Sequence, residues 1–201
     1  MADFTYQGKD STLALERYEW DRTWIERTEN TESPRVMYLG DSISWGIRPE
    51  AQRSVGQEFL MDALATSKAL DNPWYLPTLD LLLQQTATPV LTVVNNGLHG
   101  WHLKDEEEYG PLFRAFLEEV RKRCGKIAVV LTTCVVDEAR NLRVQTRNRV
   151  AARVARDLGC PVIDLYTPSL QGKHSDGVHF DAEGYRLLAG VLVENLRALL
   201  D

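Results

Sequence analysis

Residues 35–40 have the sequence RVMYLG, an apolar run that a glycine closes. Such a run is typical of a buried strand that stops at a turn. Further apolar runs predict four more strands, at residues 58–66, 90–94, 126–132 and 161–165. The stretches between them have helical patterns, and strands that alternate with helices and are rich in Val, Ile and Leu predict a parallel sheet. The sequence therefore predicts an α/β fold, with a five-stranded parallel sheet between layers of helices.

Two helices have clear terminal signals. Pro111 lies at a first-turn position, and Gly125 ends the apolar pattern that follows it. The last helix is predicted to begin at Asp181, a good N-cap residue, and to run to about residue 200. Phe180 and Tyr185 occupy the two positions of a hydrophobic staple at its start. Because the carboxyl ends of parallel strands meet at one edge of a sheet, we expect a functional site at that edge.

The charge balance argues against a nucleic acid or an anionic membrane as partner. The chain has a formal net charge of −6 and no broad basic surface. Six arginines do crowd between Arg140 and Arg156, on a helix predicted from about residue 137 to 158. We interpret these arginines as a solvated helix face.

The chain of 201 residues, 44% of them hydrophobic and 26% charged, is typical of one soluble domain. The domain is predicted to span residues 35–201, preceded by residues 1–34 as a helical arm that packs on it. That arm is suggested by apolar residues at roughly helical spacing: Leu13, Leu15, Tyr18, Trp20, Trp24 and Ile25.

The chain also lacks the signals of export and of metal binding. No basic segment followed by an apolar run begins it, and no apolar run is long enough to span a bilayer, so we expect a cytoplasmic protein. Three cysteines at wide spacing indicate neither a disulfide framework nor a zinc cluster. His99 and His102 stand three apart, but no third ligand completes a metal site. The sequence indicates neither a metal nor a cofactor.

Polar segments at the carboxyl edge of the predicted sheet carry the candidate chemistry. They are GDSI at residues 40–43, NNGLHG at residues 95–100 and SDGVH at residues 175–179. Ser42 follows a glycine turn at a predicted helix start, where an exposed hydroxyl with helix amides nearby suits a nucleophile. Asp and Ser are also ordinary turn and N-cap residues, so this segment alone could serve only to form the turn and cap the helix, without a role in catalysis.

The segment around Gly177 contains a candidate general base, His179. Gly177 can turn the chain so that the Asp176 carboxylate orients the His179 imidazole, as a base and its orienting group require. In isolation the two residues could equally be a surface turn. Together with Ser42, in this order around a parallel sheet, they favour nucleophilic catalysis.

At these segments the sequence resembles the SGNH hydrolases, the GDSL esterase and lipase superfamily, over about residues 35–200. RVMYLGDSISWG at residues 35–46 is similar to the family's first block, and SDGVHFDAEGYRLLA at residues 175–189 is similar to its last. VIDLY at residues 162–166 is similar as well. The resemblance implies Ser42 as nucleophile, Asp176 and His179 as the other triad members, and a flavodoxin-like five-stranded parallel sheet.

The oxyanion donors are where the sequence departs from the family. The family's third block, GxND, corresponds best to Gly97-Leu98-His99-Gly100, which puts His99 in place of the Asn. A neutral His99 can donate a hydrogen bond to an oxyanion. The second-block amide would then come from near Ser67. An alternative alignment takes NNGLHG as the second block, with the Gly97 amide as donor, and Asn96 can supply a side-chain amide in either.

Trp45 and Trp101, next to site segments, are the predicted pocket walls. The candidate oxyanion and substrate-binding residues are therefore Asp41, Ser67, Asn96, Gly97, His99, Trp45 and Trp101.

The resulting hypothesis is a serine esterase that hydrolyses short-chain, above all acetyl, esters through an acyl-enzyme, with a small-molecule ester such as an acetylated sugar as substrate. The resemblance leaves open a lipase, a lysophospholipase, a thioesterase or an acyltransferase of the same superfamily. The unusual GLHG block also leaves open a ligand-binding relative without hydrolytic activity.

Overall fold

A computed structural model describes residues 15, 16 and 18–201. Its strands form one mixed sheet in the order β1-β3-β2-β4-β5-β6. They are β1 (Asp21–Trp24), β2 (Arg35–Gly40), β3 (Leu60–Thr66), β4 (Leu91–Val94), β5 (Ile127–Val130) and β6 (Val162–Ile163). Strands β2 to β6 are parallel and confirm the five strands expected from the sequence. Within the described residues the sheet has six strands rather than five, because β1 adds to its edge antiparallel to β3.

Helices cover both faces of the sheet. They are α1 (Ser42–Val55), α2 (Tyr75–Leu83), α3 (Gly110–Cys124), α4 (Glu138–Asp157), α5 (Tyr166–Ser169) and α6 (Ala182–Leu200), with a π-helical turn (Asp105–Tyr109) before α3. Successive side chains of a strand point to opposite faces. In β2, Val36 and Tyr38 thus pack in the core under α1 and α6, whereas Met37 and Leu39 pack in the core under α2 and α3. The predicted α/β sandwich is confirmed.

The predicted helix signals act as expected. Asp181 caps α6 by accepting hydrogen bonds from the main-chain amides of Glu183 and Gly184, at 3.1 and 2.9 Å. The rings of Phe180 and Tyr185 meet edge to face, with centroids 6.0 Å apart, and close the hydrophobic staple. Gly125 ends α3 with a φ of +75°, a backbone conformation that favours glycine.

The described part of the segment before residue 35 differs from the helical arm expected there. Asp21–Trp24 forms β1, in which Asp21 pairs with Thr66 and Trp24 with Ala63. Pairing with β3 gives hydrogen-bond partners to the backbone N–H and C=O groups along the edge of that strand. This stabilises a strand more than the apolar spacing of the segment stabilises a helix. Leu13, with the rest of residues 1–14 and residue 17, lies outside the described residues.

No helix within residues 15, 16 and 18–201 combines the length and the apolar character needed to cross a bilayer.

Candidate active site

The turn after β2 places Ser42 at the first position of α1. A side chain at Gly40 would put a Cβ 2.5 Å from the Ser44 hydroxyl oxygen, so the turn requires glycine. Asp41 is buried and caps α1, accepting hydrogen bonds from the amides of Ile43 at 2.9 Å and Ser44 at 3.4 Å. The Asp41 carboxylate therefore orients the helix start that presents Ser42, and it does not line the cavity described below.

Ser42, His179 and Asp176 form one continuous chain of hydrogen bonds. His179 Nδ1 lies 2.7 Å from a carboxylate oxygen of Asp176, and His179 Nε2 lies 2.8 Å from Ser42 Oγ. An ionised carboxylate only accepts hydrogen bonds, so Nδ1 donates to Asp176, and in the neutral imidazole Nε2 is the nitrogen that accepts from the serine hydroxyl. This geometry can activate a serine as a nucleophile, with the imidazole as general base.

The turn at Gly177 holds the Asp176 carboxylate in place. Gly177 has a φ of +91°, and the second carboxylate oxygen of Asp176 accepts the amides of Val178 at 3.0 Å and His179 at 2.8 Å. The amide and the ring of His179, together with the Val178 amide, lower the pKa of Asp176 to about 2. The carboxylate is therefore ionised at neutral pH and can stabilise a positive charge on the imidazole.

The NNGLHG segment follows β4 and reaches the same edge of the sheet. Gly97 approaches Thr132, two residues after β5, so closely that a Cβ would lie 1.9 Å from Thr132 Oγ1, so only glycine fits there. The Asn96 side-chain amide donates to the Lys68 carbonyl at 3.1 Å. The His99 ring faces the cavity and meets the Trp20 ring edge to face, with centroids 6.1 Å apart. Of this segment's three candidates, His99 alone lines the cavity.

Ser67 lies away from the cavity, contrary to its expected role in oxyanion binding. Its main-chain amide donates to the Trp20 carbonyl at 3.1 Å, and its hydroxyl donates to a Glu19 carboxylate oxygen at 2.9 Å. The Trp20 amide in turn donates to the Ser67 hydroxyl at 2.8 Å. Ser67 thus anchors the chain before β1, and its amide is already bonded.

A cavity of about 700 Å³ opens over the hydrogen-bonded chain. Its walls include Trp45 and Trp101, as expected from the sequence, and also Trp20, Arg22 and Arg140. The sequence did not indicate Trp20 and Arg22, because their place at the cavity depends on the pairing of β1 with β3 rather than on a local motif.

The arginines of α4 are not a uniformly solvated face. Arg147 is fully buried and donates to the carbonyls of His99 at 2.6 Å, Gly100 at 2.5 Å and Gly97 at 3.2 Å. Its Nε atom donates to Asp105 at 2.8 Å. The interpretation of this cluster as a solvated face is wrong for Arg147, because the NNGLHG loop leaves carbonyl groups that need buried donors.

The histidines near the cavity do not pair with each other. His102 Nε2 lies 2.8 Å from Asp71, and His99 Nδ1 lies 3.6 Å from Glu16. Among the residues that the structure describes, no group of three or more His, Cys, Asp or Glu side chains is placed to hold a metal ion.

Comparisons with known proteins agree with this architecture. The chain resembles the native aryl esterase of M. smegmatis, with a TM-score of 0.67, 17% identity, and coverage of 83% of this chain and 100% of that one. It also resembles a carbohydrate acetylesterase from Sinorhizobium meliloti, with a TM-score of 0.67, 14% identity, and coverage of 83% and 100%. An acetyl xylan esterase gives a TM-score of 0.63 at 18% identity, with coverage of 81% and 99%. At these identities the likeness shows a shared fold.

No curated protein sequence matches the chain. The profile of the GDSL-like lipase/acylhydrolase family matches residues 38–187, which include the β2–α1 turn and the Asp176–His179 turn. The chain therefore belongs to the GDSL-like lipase/acylhydrolase family and is a carboxylic ester hydrolase.

Proposed function

We propose that this ester hydrolase cleaves short-chain esters, above all acetyl esters, with Ser42 as nucleophile, His179 as general base and Asp176 as the group that orients the base. The observation that carries the proposal is the unbroken chain of hydrogen bonds, 2.8 Å from Ser42 to His179 and 2.7 Å from His179 to Asp176.

The reaction would proceed in two acyl transfers. His179 Nε2 takes the proton of Ser42 as Oγ attacks the ester carbonyl, and it then gives that proton to the departing alcohol. A water molecule attacks the resulting acyl-serine while His179 removes one of its protons. The carboxylic acid leaves and Ser42 regains its hydrogen. Asp176, ionised because its pKa is about 2, stabilises the imidazolium in both steps.

For the oxyanion we propose the Ser42 amide, at the start of α1, and the His99 side chain. A helix start favours negative charge. The amides of Ile43 and Ser44 donate to Asp41, and the Ser67 amide donates to the Trp20 carbonyl. These three amides are therefore not available to bind the oxyanion. His99 lines the cavity together with Ser42, and in one of the two possible alignments with the family it takes the place of the Asn donor.

For the substrate we propose an acetylated sugar or a similar small acetyl ester. Indole walls from Trp45 and Trp101 suit a sugar face better than a long acyl chain. Two proteins of similar fold, an acetyl xylan esterase and a carbohydrate acetylesterase, are named for acetyl esters of carbohydrates.

The test is hydrolysis of para-nitrophenyl acetate, butyrate and octanoate by the wild type and by Ser42→Ala. We expect a burst of nitrophenol, a preference for acetate, and a loss of roughly a thousandfold or more in Ser42→Ala. Ser54→Ala, an exposed serine on the same helix, is the matched control and should leave the rates unchanged.

In the same assay His99→Ala should lower kcat by about a hundredfold, the usual effect of losing one oxyanion donor.

A preference for octanoate would contradict the acetyl assignment and indicate a lipase. Equal slow rates in the wild type and Ser42→Ala, together with no labelling of Ser42 by a fluorophosphonate, would contradict the serine mechanism.

A further inference from the structure

Two arginines line the cavity from different parts of the fold. Arg22 comes from β1 and Arg140 from the first turn of α4. Neither guanidinium forms an ion pair or a hydrogen bond with residues 15, 16 or 18–201. The nearby Arg143 and Arg147 differ, because both are bonded to Asp105 and to main-chain carbonyls. Within the described part of the chain, Arg22 and Arg140 therefore keep the N–H donors of their guanidinium groups unpaired.

Indole rings hold both guanidinium groups at the cavity. The Arg22 guanidinium carbon lies 5.7 Å from the centroids of both the Trp20 and the Trp45 rings. The Arg140 guanidinium carbon lies 5.7 Å from the centroid of the Trp101 ring. Stacking on an aromatic face restricts a guanidinium group while leaving its edge of N–H donors free. All three tryptophans line the same cavity.

Among the described residues that line the cavity, arginines outnumber carboxylates. Asp176 is the one carboxylate among the described residues that line it, and this carboxylate is bonded to His179 and to two main-chain amides. Arg140 also sits where a cation is unfavourable for the helix, since the first turn of α4 carries a positive partial charge. Helix stability thus gives no reason for an arginine at this position.

We propose that the ester substrate carries an anionic group, a carboxylate or a phosphate, and that Arg22 and Arg140 bind it. This inference rests on the proposed acetylesterase function: an acetyl group has no position for a charge, so the anion belongs to the alcohol portion. Guanidinium groups bind carboxylate and phosphate oxygens through paired N–H donors. With indole walls beside them, the substrate class is an O-acetyl ester of an anionic alcohol, such as an acetylated sugar acid or sugar phosphate.

The test compares esters that differ in charge but little in shape. The substrates are para-acetoxybenzoate, para-acetoxyphenyl phosphate and the neutral para-acetoxybenzamide, and the measurement is the ratio of kcat/KM for each anionic ester to that for the amide. The enzymes are the wild type, Arg22→Gln, Arg140→Gln and Arg153→Gln. Arg153 is the matched control, an exposed arginine of α4 that does not line the cavity. Comparing ratios between enzymes cancels the intrinsic reactivities of the esters.

We expect the wild type to favour one of the anionic esters, and each cavity variant to lower that ratio by about fivefold, the effect of one partly exposed ion pair. Arg153→Gln should keep the wild-type ratio, and added salt should lower it. The favoured anion distinguishes carboxylate from phosphate. Equal ratios in the wild type and both cavity variants, with Ser42-dependent hydrolysis of the amide intact, would overturn the inference and leave the esterase function standing.

Binding to Ser42→Ala provides a measurement that does not depend on turnover. In calorimetric titrations this variant should bind the favoured anionic ester more tightly than the neutral amide, and adding Arg22→Gln or Arg140→Gln should remove that difference. Equal affinities for all three esters would overturn the inference even if the enzyme proved inactive on them.

Discussion

The Asp176 carboxylate accepts hydrogen bonds from two main-chain amides and from the His179 ring. These bonds lower its pKa from the ordinary value of 3.8 to about 2. Because the folded-state value is the lower one, the stabilisation that these bonds provide is fully present above the ordinary value and is lost as the pH falls through about 2. An acidic limb in the rate profile near pH 5 or 6 therefore cannot come from Asp176.

We expect the carboxyl carbon of Asp176 to titrate near pH 2 in a carbon-13 NMR experiment on the wild type. In His179→Ala the ring donor is lost while both amides remain, so the pKa should rise but stay below the ordinary 3.8. Glu58, whose pKa is lowered by its hydrogen bond with Arg197, is the control carboxylate, and its pKa should be the same in both proteins. An unchanged Asp176 titration in His179→Ala would show that the ring does not bond the carboxylate.

The meeting of Ser42, Asp176 and His179 could be predicted because each is positioned by its own short segment. Gly40 and Asp41 set the helix start that presents Ser42, and the Gly177 turn lets Asp176 bond His179 three residues away. The expectation for Ser67 differs from the structure because the surroundings of Ser67 are set by distant residues. Its hydroxyl bonds Glu19, 48 residues away in the chain, and nothing local to Ser67 signals that contact.

At the scale of elements, α4 supports the loop that carries His99. Arg140, Arg143 and Arg147 lie on one helix face, and their guanidinium carbons lie 5.7, 5.1 and 4.6 Å from the centroid of the Trp101 ring. Arg143 donates to the Trp101 carbonyl and Arg147 to the carbonyls of Gly97, His99 and Gly100. A helix face of this kind fixes the path of the loop backbone, and through it the direction of the His99 side chain.

Arg147→Met should lower the free energy of unfolding by about 3 to 5 kcal/mol, because it leaves the Asp105 carboxylate and several loop carbonyls without their buried donor. Urea unfolding followed by circular dichroism measures this. Arg153→Met, an exposed site on the same helix, should cost less than about 0.5 kcal/mol. Equal unfolding midpoints for the two variants would show that Arg147 does not anchor the loop.

The helices and the parallel strands could be predicted because their signals are local caps, glycine stops and apolar runs. Asp137 and Asp181 cap α4 and α6 through bonds to amides two or three residues ahead. β1 could not be predicted in this way. Its four residues are all exposed, so no buried face marks the sequence, and the strand exists only through its pairing with β3.

At the scale of the whole molecule, the chain from Trp20 to Glu26 links the sheet edge to the cavity. Trp20 and Arg22 line the cavity. Beyond β1, the Glu26 amide donates to Asp62 at 2.9 Å, and the Glu26 carboxylate pairs with the buried Arg48 at 2.9 Å. Asp62 also pairs with the buried Arg35 at 2.8 Å. One segment thus covers the edge of β3, completes a partly buried ion-pair network and supplies one wall of the cavity.

Deletion of residues 1–26 should therefore make the protein less stable and prone to self-association. β3 is buried along its whole length, and without β1 its edge would present unpaired backbone groups to other chains. Loss of Glu26 would also leave the buried Arg48 without its carboxylate. Gel filtration with light scattering measures the self-association, and urea unfolding measures the stability. The control is Thr23→Val in the full chain, which changes an exposed residue of β1 and keeps the strand. If the truncated chain matched the full chain in association state and in unfolding midpoint, β1 would be dispensable to the sheet.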